Sequence, residues 1–364
     1  MTNRLAALDG VRGVAALLVM GLHIAGYLGS PLLGHGYLMV DLFFLLSGFV
    51  LSAGYGHRLA LGGQGRWFAG KRIARLYPLA AVGLLLGGGM AVVLSLAGLR
   101  PLDDHPLLLA LLAALFLPWL GGGLVVPFNG PVWSLQFELW INLAWGFVAR
   151  WLTDRRLAVL VALAALALTL MAVANGLFDT GFANGDPTRS AGPFGWAWGW
   201  ARVGFSFPMG VLLHRLWAAG RLGAVQSRLT PWLLPLALIL IALPVPGLPV
   251  LYDLAAVLVL FPLLVVLGAN ATGAGRASAI LGRLSYGIYV LHGPILLLFK
   301  TLEPEGLALP ARLGWYGLAA ILAIGAATLA ERWIDRPARR WIAARDEAAD
   351  PATPLTAPVQ TRSA

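Results

Sequence analysis

The chain has 364 residues, 59% hydrophobic and only 12% charged, with 26 basic residues against 16 acidic and no cysteine. Soluble domains are about 25% charged, so an ordinary water-soluble enzyme is excluded, as is a disordered or collagen-like chain. Disulfides, thiol nucleophiles and cysteine-ligated metals are excluded too, and the net charge of +10 is better explained by membrane-flanking loops than by nucleic acid.

Apolar runs of about 18–25 residues are candidates for membrane-crossing helices. They fall at residues 11–29, 37–54, 79–99, 132–150, 157–175, 196–217, 231–246, 251–268, 284–299 and 313–331. The first lacks an A-x-A cleavage site and reads as a retained helix, not a signal peptide. A shorter run, 107–120, ends in Pro118-Trp119 and glycines. If it does not cross, 21 of the 26 basic residues fall on one side of the membrane; if it crosses, only 10 do. The positive-inside rule therefore favours about ten crossings, a re-entrant or interfacial 107–120, and both termini in the cytoplasm. The expected fold is an all-α polytopic membrane bundle over 1–345. An Ala-, Pro- and Thr-rich tail, 346–364, is expected to be disordered and cytoplasmic.

Ionisable residues inside spans are costly and mark function by default. The set is Arg12, His23, Asp41, Glu138, Arg202, Asp253 and His292. Arg12 and His23 are eleven residues apart. That is three helical turns plus roughly 20°, so they share one face and stand about 16 Å apart along the axis. His23, Asp41 and Glu138 come from three different spans, each about four to six residues below the outer end, so a histidine and two carboxylates are expected at one depth. Arg202 lies at a similar depth and reads as a counter-ion or an anchor for an anionic acceptor. On the inner side, Arg66, Lys71, Arg72 and Arg75 share a stretch with Trp67, Phe68 and Tyr77, a candidate phosphate-binding patch. His35, His57, His105 and His214 read as loop or interface residues. No spacing such as H-E-x-x-H points to a metal.

Six segments, LDGVRGVAALLVMGLH, VDLFFLLSGFVLS, KRIARLYPL, WSLQFE, LSYGIYVLHGP and IDRPARRW, stand in this order along the chain, and together they resemble the acyltransferase 3 family of integral membrane O-acyltransferases. LDGVRGVAALLVMGLH is similar to its R-x10-H signature, here Arg12 and His23. VDLFFLLSGFVLS is similar to its second-helix pattern, with Asp41 and Ser47. KRIARLYPL resembles its basic loop, with Arg72, Arg75, Tyr77 and Pro78. WSLQFE resembles its Trp-Ser-Leu-x-x-Glu element, here Trp133, Ser134 and Glu138. LSYGIYVLHGP matches a late helix, with Tyr286, Tyr289 and His292. IDRPARRW resembles the C-terminal signature, with Asp335 where glutamate is usual. The residues after Glu138 depart from the family, reading ELWINL where an aromatic pair is common. The sequence stops about 30 residues past its last span, so a stand-alone enzyme is expected, without the fused soluble esterase-like domain of many relatives.

The resemblance implies a cytoplasmic acyl-CoA donor, used as co-substrate and not as a bound cofactor, and a hydroxyl acceptor, usually on a sugar. Arg12, Arg72 and Arg75 would hold the CoA phosphates. His23 would act as general base, oriented by Glu138 or Asp41. Ser47, Trp133, Ser134 and Arg202 are candidates for the oxyanion site. Tyr286, Tyr289 and His292 form a polar cluster near the channel, a second source of acceptor contacts. The leading function is transfer of an acyl group, most simply acetyl, to a cell-envelope glycan or glycoconjugate in the inner membrane of a bacterium. Acylation of a secondary-metabolite sugar and succinylation of a periplasmic glucan are alternatives. A secondary transporter is the alternative from another class, but no second half repeats VDLFFLLSGF or WSLQFE.

Overall fold

The computed structural model describes residues 5–102, 104–119, 128–176, 192–223 and 227–349, and no strand occurs among them. In chain order the helices are α1 (Ala6–Leu28), α2 (Met39–Ala60, entered through a 3-10 turn at Gly36–Leu38), α3 (Gly65–Leu96), α4 (Pro106–Ala114), α5 (Trp133–Val148) and α6 (Asp154–Asn175). There follow α7 (Gly192–Ala218), α8 (Thr230–Ala242), α9 (Pro249–Ala269, with a π-turn at Ala256–Leu260), α10 (Arg276–Thr301), α11 (Leu309–Ala330) and α12 (Arg336–Ala349). A π-turn, Glu331–Asp335, joins the last two.

Among the described residues, seven segments are long and apolar enough to cross a membrane: α1, α2 with its leading turn, α3, α6, α9, α10 and α11 running on into α12. The other three expected spans are helices that fall short of that standard. α5 has 16 residues and α8 has 13. α7 has 27, but its glycines, tryptophans and Arg202 lower its mean hydropathy. The fold is a helical membrane bundle, and among the described residues seven of its helices meet the standard of length and apolarity. The only helix in the run at 107–120 is α4, nine residues beginning at Pro106, about 14 Å of helix against a hydrocarbon core of about 30 Å. The chain then doubles back, with the Trp119 ring 6.4 Å from that of His105. Of the stretch expected to be disordered, 346–349 closes α12, and 350–364 lies outside the described residues.

Lipid is as apolar as leucine, so helices in a bilayer are held by close backbone approach and polar contacts. Glycine provides the approach. A Cβ on Gly13 of α1 would stand 2.3 Å from the Leu281 side chain of α10, and one on Gly48 of α2 would stand 2.1 Å from the Phe207 carbonyl oxygen of α7. Gly10 meets Ser278, Gly13 meets Leu281 and His23 meets His292, so α1 and α10 run parallel. An odd number of crossings therefore separates them, as it does when 107–120 does not cross. α2 and α7 are also parallel, with Asp41 against Arg202, Gly48 against Phe207 and Ser52 against His214. α2 is the centre of the bundle, 83% buried over its apolar window against 22% for α6.

α5 starts in the middle of the bundle. Phe128 abuts Gly87 and Asn129 abuts Gly83, halfway along α3, while Phe147 at the far end of α5 abuts Gly65. The two helices are therefore antiparallel, and the α5 N-terminus stands at the bundle interior.

One loop carries a charge clasp. Glu303, between α10 and α11, accepts from Lys300 Nζ at 2.9 Å, from Tyr316 Oη at 2.8 Å and from Arg312 Nε. Arg312 also donates to the Tyr27 carbonyl of α1 at 2.7 Å. Hydrogen bonds from Lys300 and Tyr316 hold the Glu303 carboxyl down from 4.5 to about 2. A depressed carboxylate stabilises the fold above its unfolded pKa, and that contribution is lost as pH falls through the folded value. Glu303→Gln is thus expected to melt below wild type at pH 7 in detergent. The gap should shrink below about pH 4.5 and close near pH 2. A gap that is constant across that range would contradict the clasp.

Candidate active site

Ser134 and Glu138 lie four residues apart on α5 and therefore on one face, about 6 Å apart along the axis. Each ends in a different polar cluster. Glu138 Oε1 accepts from Ser47 Oγ of α2 at 2.8 Å and from Arg72 Nη2 of α3 at 3.2 Å. Arg12 of α1 lies within electrostatic reach of Glu138 and of Arg75. The structure thus gathers Arg12, Arg72, Arg75 and Ser47 around the carboxylate of Glu138.

The arginines are engaged to different degrees. Arg75 donates to Asp335 at 2.6 Å and stands 5.2 Å over the Tyr286 ring. Asp335 also pairs with Arg339 at 3.1 Å, so the C-terminal signature clamps α3. The Tyr286 hydroxyl donates to the Leu76 carbonyl. Arg72 keeps a buried Nε with no hydrogen-bond partner. Arg12 is half-buried, and among the described residues nothing hydrogen-bonds to it. Two guanidinium groups are therefore left with unused donors, suited to phosphate oxygens.

The second cluster lies where α1, α5 and α10 meet. The His23 and His292 rings are 5.3 Å apart and tilted by 35°. His292 Nδ1 lies 2.9 Å from the Ile288 carbonyl, an acceptor only, so this nitrogen carries the proton. His292 Nε2 is then a bare lone pair, buried and without a partner. Tyr289, one turn earlier, stands 6.0 Å from the His292 ring and donates to the Pro131 carbonyl at 2.6 Å. With that hydroxyl hydrogen committed, the 2.7 Å contact between Tyr289 Oη and Ser134 Oγ has the serine as donor.

The expected histidine–carboxylate contact is not formed. Among the described residues no hydrogen bond joins His23 to Asp41 or Glu138; its neighbour is His292. Glu138 is held by Arg72 and Ser47, and Asp41 by Arg202. Arg202 Nη2 donates to Asp41 Oδ2 at 2.6 Å and to the Tyr37 carbonyl at 3.0 Å, with both side chains of the pair at most 1% exposed. The guanidinium stands 5.4 Å over the Trp133 ring. The reason is chemical: a permanent cation in a dry interior satisfies a carboxylate better than a neutral imidazole does. Next to this pair, His35 Nδ1 lies 2.7 Å from Asp253 Oδ1, and the Tyr37 hydroxyl donates to Asp253 Oδ2. His35, expected in a loop or at an interface, is only 7% exposed. Asp253 was visible as a charge inside a span. His35 was hidden by its place at the start of a helix.

A buried ion pair broken on one side leaves an uncompensated charge, which costs about 3–5 kcal/mol. Asp41→Ala is therefore expected to lose most of its folded yield, and the double variant Asp41→Leu/Arg202→Met to recover part of it, as read by size exclusion and thermal melting. Equal losses in the single and double variants would show that the pair is not what Asp41 provides.

The chain matches a family model described as an acyltransferase domain over residues 5–332. It is also 37% identical over 186 residues to "Protein 2 in picA locus" of Rhizobium radiobacter, covering 47% of this chain and 95% of that protein. No solved structure matches. With the signature residues gathered at two polar clusters of one helical bundle, and the family model spanning nearly its whole length, the chain belongs to the acyltransferase 3 family of membrane acyltransferases.

Proposed function

We propose that the protein moves an acyl group, most simply acetyl, from cytoplasmic acyl-CoA to a hydroxyl of a cell-envelope glycan or glycoconjugate. The observation that carries this reading is the pairing of ends on α1. Arg12, with Arg72 and Arg75 around it, occupies one end, and His23, beside the His292 ring with its unpartnered Nε2, occupies the other. They are about 16 Å apart on one face. CoA has the matching form, an anionic phosphate head and a long neutral arm ending in a thioester. Its phosphates would take the unused donors of Arg12 and Arg72, and its arm would follow α1 to the histidines.

His23 would take the proton of the acceptor hydroxyl as its oxygen attacks the thioester carbonyl carbon. The new C–O bond gives a tetrahedral oxyanion. Collapse breaks the C–S bond, and the thiolate leaves with the proton from the imidazolium. His292, locked as the Nδ1–H tautomer, offers Nε2 to the hydroxyl or to His23 and so would set the geometry of the base. The oxyanion needs a donor that can turn towards it. Ser47 is bonded to Glu138 and Arg202 to Asp41. Ser134 donates to a phenol oxygen, the easiest of these bonds to exchange. Placement in a bacterial plasma membrane with cytoplasmic termini is the orientation that puts the basic loops, and the arginine end, on the acyl-CoA side.

Purified wild type in detergent is expected to release CoA slowly from acetyl-CoA with water as acceptor. His23→Ala should lower that rate by about 10²–10⁴-fold while acetyl-CoA binding stays within twofold. Arg12→Ala should instead weaken binding. Failure of wild type to bind or cleave acyl-CoA would overturn the donor assignment.

A further inference from the structure

A narrow cleft opens between α3, α4 and the start of α5. Its wall is apolar: Ala80, Ala81 and Leu84 on one side, Ala113, Phe116 and Leu117 on the other. Its mouth runs onto a lipid-facing surface, since Tyr77, Leu85, Leu111 and Leu115 around it are 41–75% exposed.

Two polar side chains interrupt this wall, Asn129 (4% exposed) and Gln136 (0% exposed). Their orientation is set by what their nitrogens do. Asn129 Nδ2 donates to the Val290 carbonyl at 2.9 Å, and Gln136 Nε2 to the Phe116 carbonyl at 2.7 Å. Carbonyls accept only, so the other end of each amide is oxygen. Asn129 Oδ1 and Gln136 Oε1 are buried and have no partner. Unpaired buried acceptors are rare and ask for a donor. The backbone here is also unusual: Phe116 in the wall has φ 55° and Phe128, just before Asn129, has φ 68°, a region bulky residues avoid. Such strain collects at ligand sites.

We propose that this cleft admits the acceptor from the side, out of the bilayer, and that the acceptor is an amphiphile, a hydroxylated head on a hydrocarbon chain. The chain packs on Ala80, Ala81, Leu84 and Leu117. The first hydroxyls of the head donate to Asn129 Oδ1 and Gln136 Oε1. A fully polar glycan would find too few partners in this wall, and a plain hydrocarbon would leave both oxygens unpaired. Asn129 is bonded to the Val290 carbonyl, two residues before His292 on α10, so the head lies near His292, the neighbour of the proposed base His23. This rests on the proposed function only for what happens to the acceptor, and binding tests it separately.

Dodecyl glucoside with a diazirine in its chain serves as the probe, on purified protein in nanodiscs. Phosphatidylcholine with a diazirine acyl chain is the control. The glucoside is expected to label peptides containing 77–84 and 113–117. Gln136→Leu should weaken that labelling about fivefold, the loss of one hydrogen bond, and Ala81→Trp should abolish it by filling the cleft. Both variants are checked for an unchanged melting temperature. If either fails to fold, Ala113→Phe replaces it as the cleft filler. Labelling that is absent, unaffected by the variants, or equally strong with phosphatidylcholine would overturn the proposal, the last by marking an ordinary lipid groove. Loss of CoA release from wild type alone would refute the acyl-CoA reading and leave the cleft assignment standing.

Discussion

The carboxylate of Glu138 is the interaction on which the rest depends. Three guanidinium groups converge inside a bundle set in hydrocarbon, and their mutual repulsion needs a counter-charge. Glu138 supplies it by accepting from Arg72 and Ser47 while lying within reach of Arg12. One carboxylate is not enough for three cations, and Asp335 takes up part of the remainder through Arg75. Asp9, within electrostatic reach of Arg12, adds a third carboxylate. Four helices and the C-terminal turn contribute to that arrangement, so its strain is distributed and not borne by one loop.

The scaffold keeps the two polar clusters in register. Glycine contacts draw α1 against α10 and α2 against α7, each as a parallel pair. α5 begins in the interior, where its first turn meets Tyr289 and its second meets Arg72. Shifting α5 by one residue would rotate Ser134 and Glu138 by about 100° away from both partners. The Asp41–Arg202 pair, buried beside Trp133, anchors the entrance to that helix. It acts as a structural bolt close to the site, which explains an intramembrane carboxylate that does not touch the histidine.

Much of this could be read from residue order. The eleven-residue interval put Arg12 and His23 on one face, and hydropathy located the long helices, because both follow from helical geometry alone. The doubling back at 107–120 followed from charge bookkeeping across the loops. Partner choice did not follow. Depth along separate spans placed His23, Asp41 and Glu138 at one level, but rotation of each helix decides who meets whom, and no period in the sequence encodes it. His35 escaped because its burial comes from Asp253, over two hundred residues away. Asn129 and Gln136 escaped because neutral amides carry no charge to stand out in an apolar run. The family model, covering residues 5–332, adds the acyltransferase class that side-chain geometry by itself does not name.

The most direct measurement is a cryo-electron microscopy structure with a non-hydrolysable thioether analogue of acetyl-CoA. The account predicts phosphate oxygens within hydrogen-bonding distance of Arg12 and Arg72, about 2.7–3.2 Å. It also predicts the pantetheine arm along α1, with its sulfur next to His23 and His292. An analogue bound with its phosphates elsewhere, or with its sulfur away from the two histidines, would contradict it.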